Sequence, residues 1–159
     1  GFNAGAAYVF ERDASGVWNE AVKLIASVGE GGAGFGRSVC LSGGRALIGA
    51  DKFSEPFGGE GAAYVFERDP GGVWLEVAKL TASDETGFDD FGWSVSLSGD
   101  RALIGAYSKD YPGSIPGAAY VFERSPEGEW IENAKLTSDD YFDCEFGYSV
   151  CLSGDRALV

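Results

Sequence analysis

The octapeptide GAAYVFER occurs three times unchanged, beginning at Gly5, Gly61 and Gly117, so each copy starts 56 residues after the last. A fixed period of this length marks an array, in which each repeat is one supersecondary unit that buries its apolar face against its neighbours. The register runs well beyond the octapeptide. It continues through Trp18, Trp74 and Trp130, then Lys23-Leu24, Lys79-Leu80 and Lys135-Leu136, then FGRSV, FGWSV and FGYSV. It closes with SGGRALIGA at 42, SGDRALIGA at 98 and SGDRALV at 153. A repeat is a scaffold, so it constrains architecture more than function.

One repeat reads as four strands. FGWSVSLSG alternates Phe91, Trp93, Val95 and Leu97 with Gly92, Ser94, Ser96 and Ser98, the period of two expected of a strand, here strand A. Gly99-Asp100 forms a tight hairpin turn into strand B, Arg101 to Ala106. Strand C, Ala62 to Arg68 in the middle copy, is almost continuously apolar, as a strand covered on both faces must be. The turn ERDPGG leads into strand D, Val73 to Thr81, whose mixed polarity marks an outer edge. The predicted fold is therefore all-β, built from four-stranded antiparallel propeller blades.

Phe91-Gly92 opening strand A and Ile104-Gly105-Ala106 closing strand B resemble the FG-GAP repeat, the blade unit of integrin α-subunit heads and many bacterial surface proteins. The pair recurs as Phe35-Gly36 with Ile48-Gly49-Ala50, and as Phe146-Gly147 with a tail that stops at Val159, so the resemblance covers nearly the whole chain. It implies an extracellular or cell-surface location and strand A as the innermost strand. That family often carries a DxDxDG calcium loop between its first two strands. Here that place holds only Gly43-Gly44, Gly99-Asp100 and Gly154-Asp155, turns too tight to wrap calcium, so Asp100 and Asp155 read as turn residues and no cofactor is expected.

Along the chain the strands run C-D over 5–27, a full blade over 35–83, a second over 91–138, and A-B over 146–159. That is about three blades, with one split between the termini. A lone half blade exposes strand edges, which soluble proteins pair or cover. Three solutions stay open: a fragment of a longer propeller, as the absence of methionine suggests; two copies in a six-bladed ring; or copies added head to tail into a fibre. The partners expected are thus missing blades of a longer chain or other copies of this one.

Composition narrows the function classes. A formal charge of −13, from 25 acids and 12 bases, repels phosphate and argues against nucleic acid or anionic lipid. No apolar run reaches the roughly 20 residues of a membrane-spanning helix, so no membrane insertion is expected. The lack of histidine removes the commonest general base, the serine-type triad and the usual zinc site. No enzyme activity is expected. The cysteines, Cys40, Cys144 and Cys151, are odd in number, and Cys40 and Cys151 share a repeat position with Ser96, which suits a small buried residue.

The A-to-B and C-to-D turns are nearly constant, whereas the B-to-C and D-to-A loops vary and emerge together at the other end of each blade. These rim loops hold 13 of the 25 acids and only two bases, Lys52 and Lys109. Their rings include Phe53, Phe57, Tyr107, Tyr111, Tyr141 and Phe142, the candidate ligand-binding rim for a basic protein, a glycan or a cation. Candidate calcium ligands are Asp84, Asp89 and Asp90 in one loop and Asp139, Asp140, Asp143 and Glu145 in another, although their spacings do not match. The third position of strand A varies as Arg37, Trp93 and Tyr148, a packing position near the central channel or between blades. The expected function is a non-catalytic module for protein interaction or adhesion, or for self-assembly by blade completion. The alternative is a carbohydrate-binding, lectin-like propeller.

Overall fold

Runs of valine, alanine and aromatic residues broken by Gly-containing turns favour strands, and strands are the only regular elements among the described residues of the computed structural model. It describes residues 5–27, 34–51, 61–84, 89–108, 117–139 and 145–159. The strands are β1 (Ala7–Arg12), β2 (Trp18–Leu24), β3 (Phe35–Ser42), β4 (Arg45–Ala50), β5 (Ala62–Arg68) and β6 (Trp74–Leu80). They continue as β7 (Ser94–Ser98), β8 (Arg101–Ala106), β9 (Ala118–Arg124), β10 (Trp130–Leu136), β11 (Cys151–Ser153) and β12 (Arg156–Leu158). Two complete antiparallel sheets, β3-β4-β5-β6 and β7-β8-β9-β10, are flanked by the two-stranded sheets β1-β2 and β11-β12. These are blades in the order A-B-C-D, with half a blade at each end.

Strand C is buried along most of its length in both complete sheets, whereas β6 and β10 alternate between half-buried and exposed positions. In all three C-D pairs the register slips by one residue, leaving Ala21, Val77 and Asn133 as bulges. A bulge increases local twist, which coils the outer edge of each blade. Strand A begins at Phe35 in the first complete sheet and at Ser94 in the second, and Gly36 and Gly92 hold the same left-handed backbone, at φ +94° and +92°.

The core lies between blades. Phe35, Ile48, Tyr64 and Phe66 pack with Val9 and Leu24 in one cluster, and Leu47, Val65, Phe91, Leu97, Ile104 and Tyr120 in the next. The phenylalanines of the first two Phe-Gly pairs meet the tyrosine of strand C edge-on or tilted, Phe35–Tyr64 at 5.4 Å and Phe91–Tyr120 at 5.5 Å between centroids. A side chain on Gly49 would overlap the Gly92 carbonyl of the following blade, and one on Gly105 would overlap that of Gly147. Those same carbonyls accept hydrogen bonds from Ser38 Oγ at 2.8 Å and Ser94 Oγ at 2.7 Å. The two glycine motifs are therefore the two halves of one joint between successive blades.

Further inter-blade bonds recur at repeat spacing. The Ser27 N–H and hydroxyl donate to the Glu76 carboxylate, and those of Ser83 donate to Glu132 in the same way. The turn residue Asp100 receives Arg45 Nη1 of the preceding blade at 3.0 Å, and Asp155 receives Arg101. Leu97 N–H donates to Cys40 Sγ at 3.2 Å, and Leu152 N–H to Ser96 Oγ at 2.9 Å. The Cys/Ser position thus serves as an acceptor for the next inner strand rather than simply as a buried filler. Ser96 is buried, Cys40 half-buried and Cys151 exposed, and both described cysteines are free thiols. Cys144 lies outside the described residues. Of the tryptophans, Trp74 and Trp130 pack on the core clusters, while Trp18 is exposed in the leading half blade.

Candidate functional site

Arg68 N–H donates to the Gly44 carbonyl and Arg124 N–H to that of Asp100, each at 2.8 Å, so the A-B and C-D turns of a blade share one end. The opposite end gathers three positions that differ between repeats. The residue before Phe-Gly is Gly34, Asp90 or Glu145; the third residue of strand A is Arg37, Trp93 or Tyr148; the residue after strand B is Asp51 or Tyr107. All three positions meet in a ladder that crosses successive blades.

At its start the Arg37 guanidinium lies 3.4 Å from the centre of the Trp93 ring, a cation-π contact between neighbouring blades. Arg37 Nε also pairs with Asp51 Oδ2 at 3.3 Å. The Trp93 ring then meets Tyr107 at 4.6 Å and Tyr148 at 5.4 Å, and Tyr107 and Tyr148 stand 5.4 Å apart. Tyr148 is about half exposed, so the ladder presents a ring face at the surface.

Carboxylates border the rings. Asp90 and Glu145 both sit in the left-handed region, at φ 51° and 43°, where the first repeat uses Gly34. Acidic side chains accept such a backbone only at a cost, and strain of this kind concentrates where side chains are held for use. Burial pushes the Asp51 carboxyl up from its ordinary value against the Arg37 charge, and Asp90 adds to the rise. Burial likewise pushes the Tyr107 hydroxyl up, opposed by its hydrogen bond with Ser108 and assisted by Asp90 and Glu145. The ladder thus combines an aromatic surface with negative charge, which suits stacking and cation recognition.

Of the rim candidates from sequence, Tyr107 takes part in the ladder; Phe53, Phe57, Tyr111, Tyr141 and Phe142 lie outside the described residues. Asp84 accepts from the Tyr120 hydroxyl and from Lys135 Nζ of the next blade, both at 2.7 Å, while Asp89 is buried and Asp90 belongs to the ladder. Burial, the hydrogen bond to Asp84 and that carboxylate's charge push the Tyr120 hydroxyl far up. Asp139 is exposed, and Asp140 and Asp143 lie outside the described residues. Among the described residues no three His, Cys, Asp or Glu side chains converge to hold a metal ion. Arg37, Trp93 and Tyr148, read from sequence as packing residues, prove to join Tyr107. The signal available was their variation at an otherwise constant repeat position.

A family model described as FG-GAP repeat matches residues 18–66 and 74–122, more than half of the chain. Each match runs from strand D of one blade to strand C of the next, so it contains one Phe-Gly and one Ile-Gly-Ala motif. No curated protein matches the chain. Among the described residues no helix is long and apolar enough to cross a membrane.

Proposed function

The chain belongs to the FG-GAP repeat family, and we propose that it is a non-catalytic, extracellular or cell-surface interaction module that engages a basic protein partner at the ladder of Trp93, Tyr107 and Tyr148. One observation carries this reading. The inter-blade framework is held constant from repeat to repeat, whereas the varied positions converge on one surface that joins aromatic rings to Asp51, Asp90 and Glu145. Rigid aromatic anchors ringed by charge are what binding hot spots are made of. The acidic composition adds steering toward cationic surfaces and makes the association weaken with salt.

Titration with an oligoarginine peptide, followed by tryptophan fluorescence at low and high salt, tests the reading. Tyr107→Ala and Tyr148→Ala each weaken binding by about tenfold or more, the size of a single hot-spot side chain. Peptide binding that neither substitution changes, or no binding at all, overturns it. A carbohydrate ligand is the second reading, favoured by the exposed Tyr148 ring beside Glu145, since sugars stack on aromatic faces and bond to carboxylates. A glycan-array signal that Tyr148→Ala abolishes selects this reading, and a blank array removes it.

A further inference from the structure

The rungs of the ladder follow one rule in both complete blades. The third residue of strand A lies against the third residue of the next strand A, and the residue after strand B closes in from the same blade. In the second complete blade the rung is the Trp93 ring, 5.4 Å from Tyr148 and 4.6 Å from Tyr107. In the first it is the Arg37 guanidinium, which lies over the Trp93 ring at 3.4 Å from its centre, with Nε 3.3 Å from Asp51 Oδ2. A cation thus stands where the next repeat places an indole, and the residue beside it is a carboxylate instead of a tyrosine. We propose that the Trp93 face and Asp51 form a guanidinium-binding site, that Arg37 fills it as a ligand supplied by the chain itself, and that an arginine of the basic partner replaces Arg37 there. The last step rests on the reading of the ladder as a partner surface.

The way Arg37 is held suits exchange. Arg45 and Arg101, at the constant end, each place Nε 2.8 Å from a glutamate of their own blade and reach an aspartate of the next blade as well. Arg37 has a single ion pair among the described contacts, and a longer one. Its side chain is 40% exposed while that of Asp51 is 14% exposed, so the carboxylate is the fixed half of the site and the cation the open half. Asp90 of the next blade stands near enough to act on Asp51, so one guanidinium faces two carboxylates and the site keeps its pull on a second cation.

The chemistry also selects the ligand class. A guanidinium is flat and weakly hydrated, so it stacks on an indole while its in-plane N–H groups reach a carboxylate; an ammonium is a strongly hydrated point charge without that plane. An internal ligand lowers the apparent affinity for an external one in proportion to the time for which it leaves the site open. Arg37 therefore acts as a built-in competitor that sets how strongly an arginine must bind to enter.

Arg37→Ala empties the site, and Arg37→Gln empties it while keeping a polar chain at the joint between blades should the alanine form fail to fold. Methylguanidinium, followed at the Trp93 indole N–H by NMR, should bind either variant saturably, and the unaltered chain about fivefold more weakly or less. Methylammonium should produce no such response. Oligoarginine affinity should rise by about fivefold or more in both variants. Lys79→Gln, at an exposed position of β6, removes the same charge elsewhere and should give no such rise. A folded variant that does not take methylguanidinium, or takes methylammonium equally well, overturns the site. Oligoarginine that binds the unaltered chain, but gains nothing from either variant or gains as much from Lys79→Gln, overturns the exchange and leaves the proposed function standing. Methylguanidinium bound by the variants with no oligoarginine binding by any form supports the site and removes the proposed function.

Discussion

Glycine acts differently at the two motif positions that define the repeat. Gly92 is required for its backbone, at φ +92°, and for its approach to the Ala62 carbonyl; Gly49, in ordinary strand geometry, is required only because the Gly92 carbonyl of the next blade occupies the space of a side chain. Gly49→Ala is expected to cost about 1–3 kcal/mol, the range of an overpacked core, measured as a lower urea midpoint at unchanged slope. Asp13 offers a pH-dependent test. Hydrogen bonds from Ser15, first, and from Val17 and Asn19 hold its carboxyl at about 2 against an ordinary 3.8. The ionised form is the bonded one, so its stabilisation is complete above 3.8 and is lost as pH falls toward 2. Asp13→Asn should flatten the pH dependence of the urea midpoint in that window and leave it unchanged elsewhere. The repeat made Gly49 visible in the sequence, but not its reason, because the clashing carbonyl lies 43 residues away in another blade.

At the level of strands, the order of pairing was legible because hydrophobic period, turn residues and repeat spacing all agree on four strands per unit. The bulges at Ala21, Val77 and Asn133 were not, and in β6 and β10 the burial alternation runs through them without a break. Nor were the links between blades. Glu76 and Glu132 look like solvent-facing acids of an edge strand, yet each accepts two hydrogen bonds from the serine of the preceding blade. Glu132→Ala should cost about 1 kcal/mol, a modest sum for bonds near the surface, and should speed amide exchange at Ser83 without changing it at Ser27. The same limit hid most of the ladder. Tyr107 stood out as a ring in a variable loop, but Trp93 and Tyr148 acquire their meaning from contact across a blade boundary that strand periodicity does not encode.

The whole molecule divides into a constant end and a varied end. At the first, Arg–Glu pairs join strands within each blade and Arg–Asp pairs tie successive blades, so substitutions there act on stability; the ladder occupies the second, so substitutions there act on binding. Asp100→Asn should therefore lower the urea midpoint slightly and leave oligoarginine affinity unchanged, the reverse of Tyr148→Ala. Measuring the urea midpoint and the oligoarginine affinity of these two variants side by side tests that division most directly. The account predicts a lower midpoint at unchanged affinity for Asp100→Asn, and an affinity lower by about tenfold or more at an unchanged midpoint for Tyr148→Ala. An affinity loss of that size in Asp100→Asn, or Tyr148→Ala binding as tightly as the unaltered chain, would contradict it.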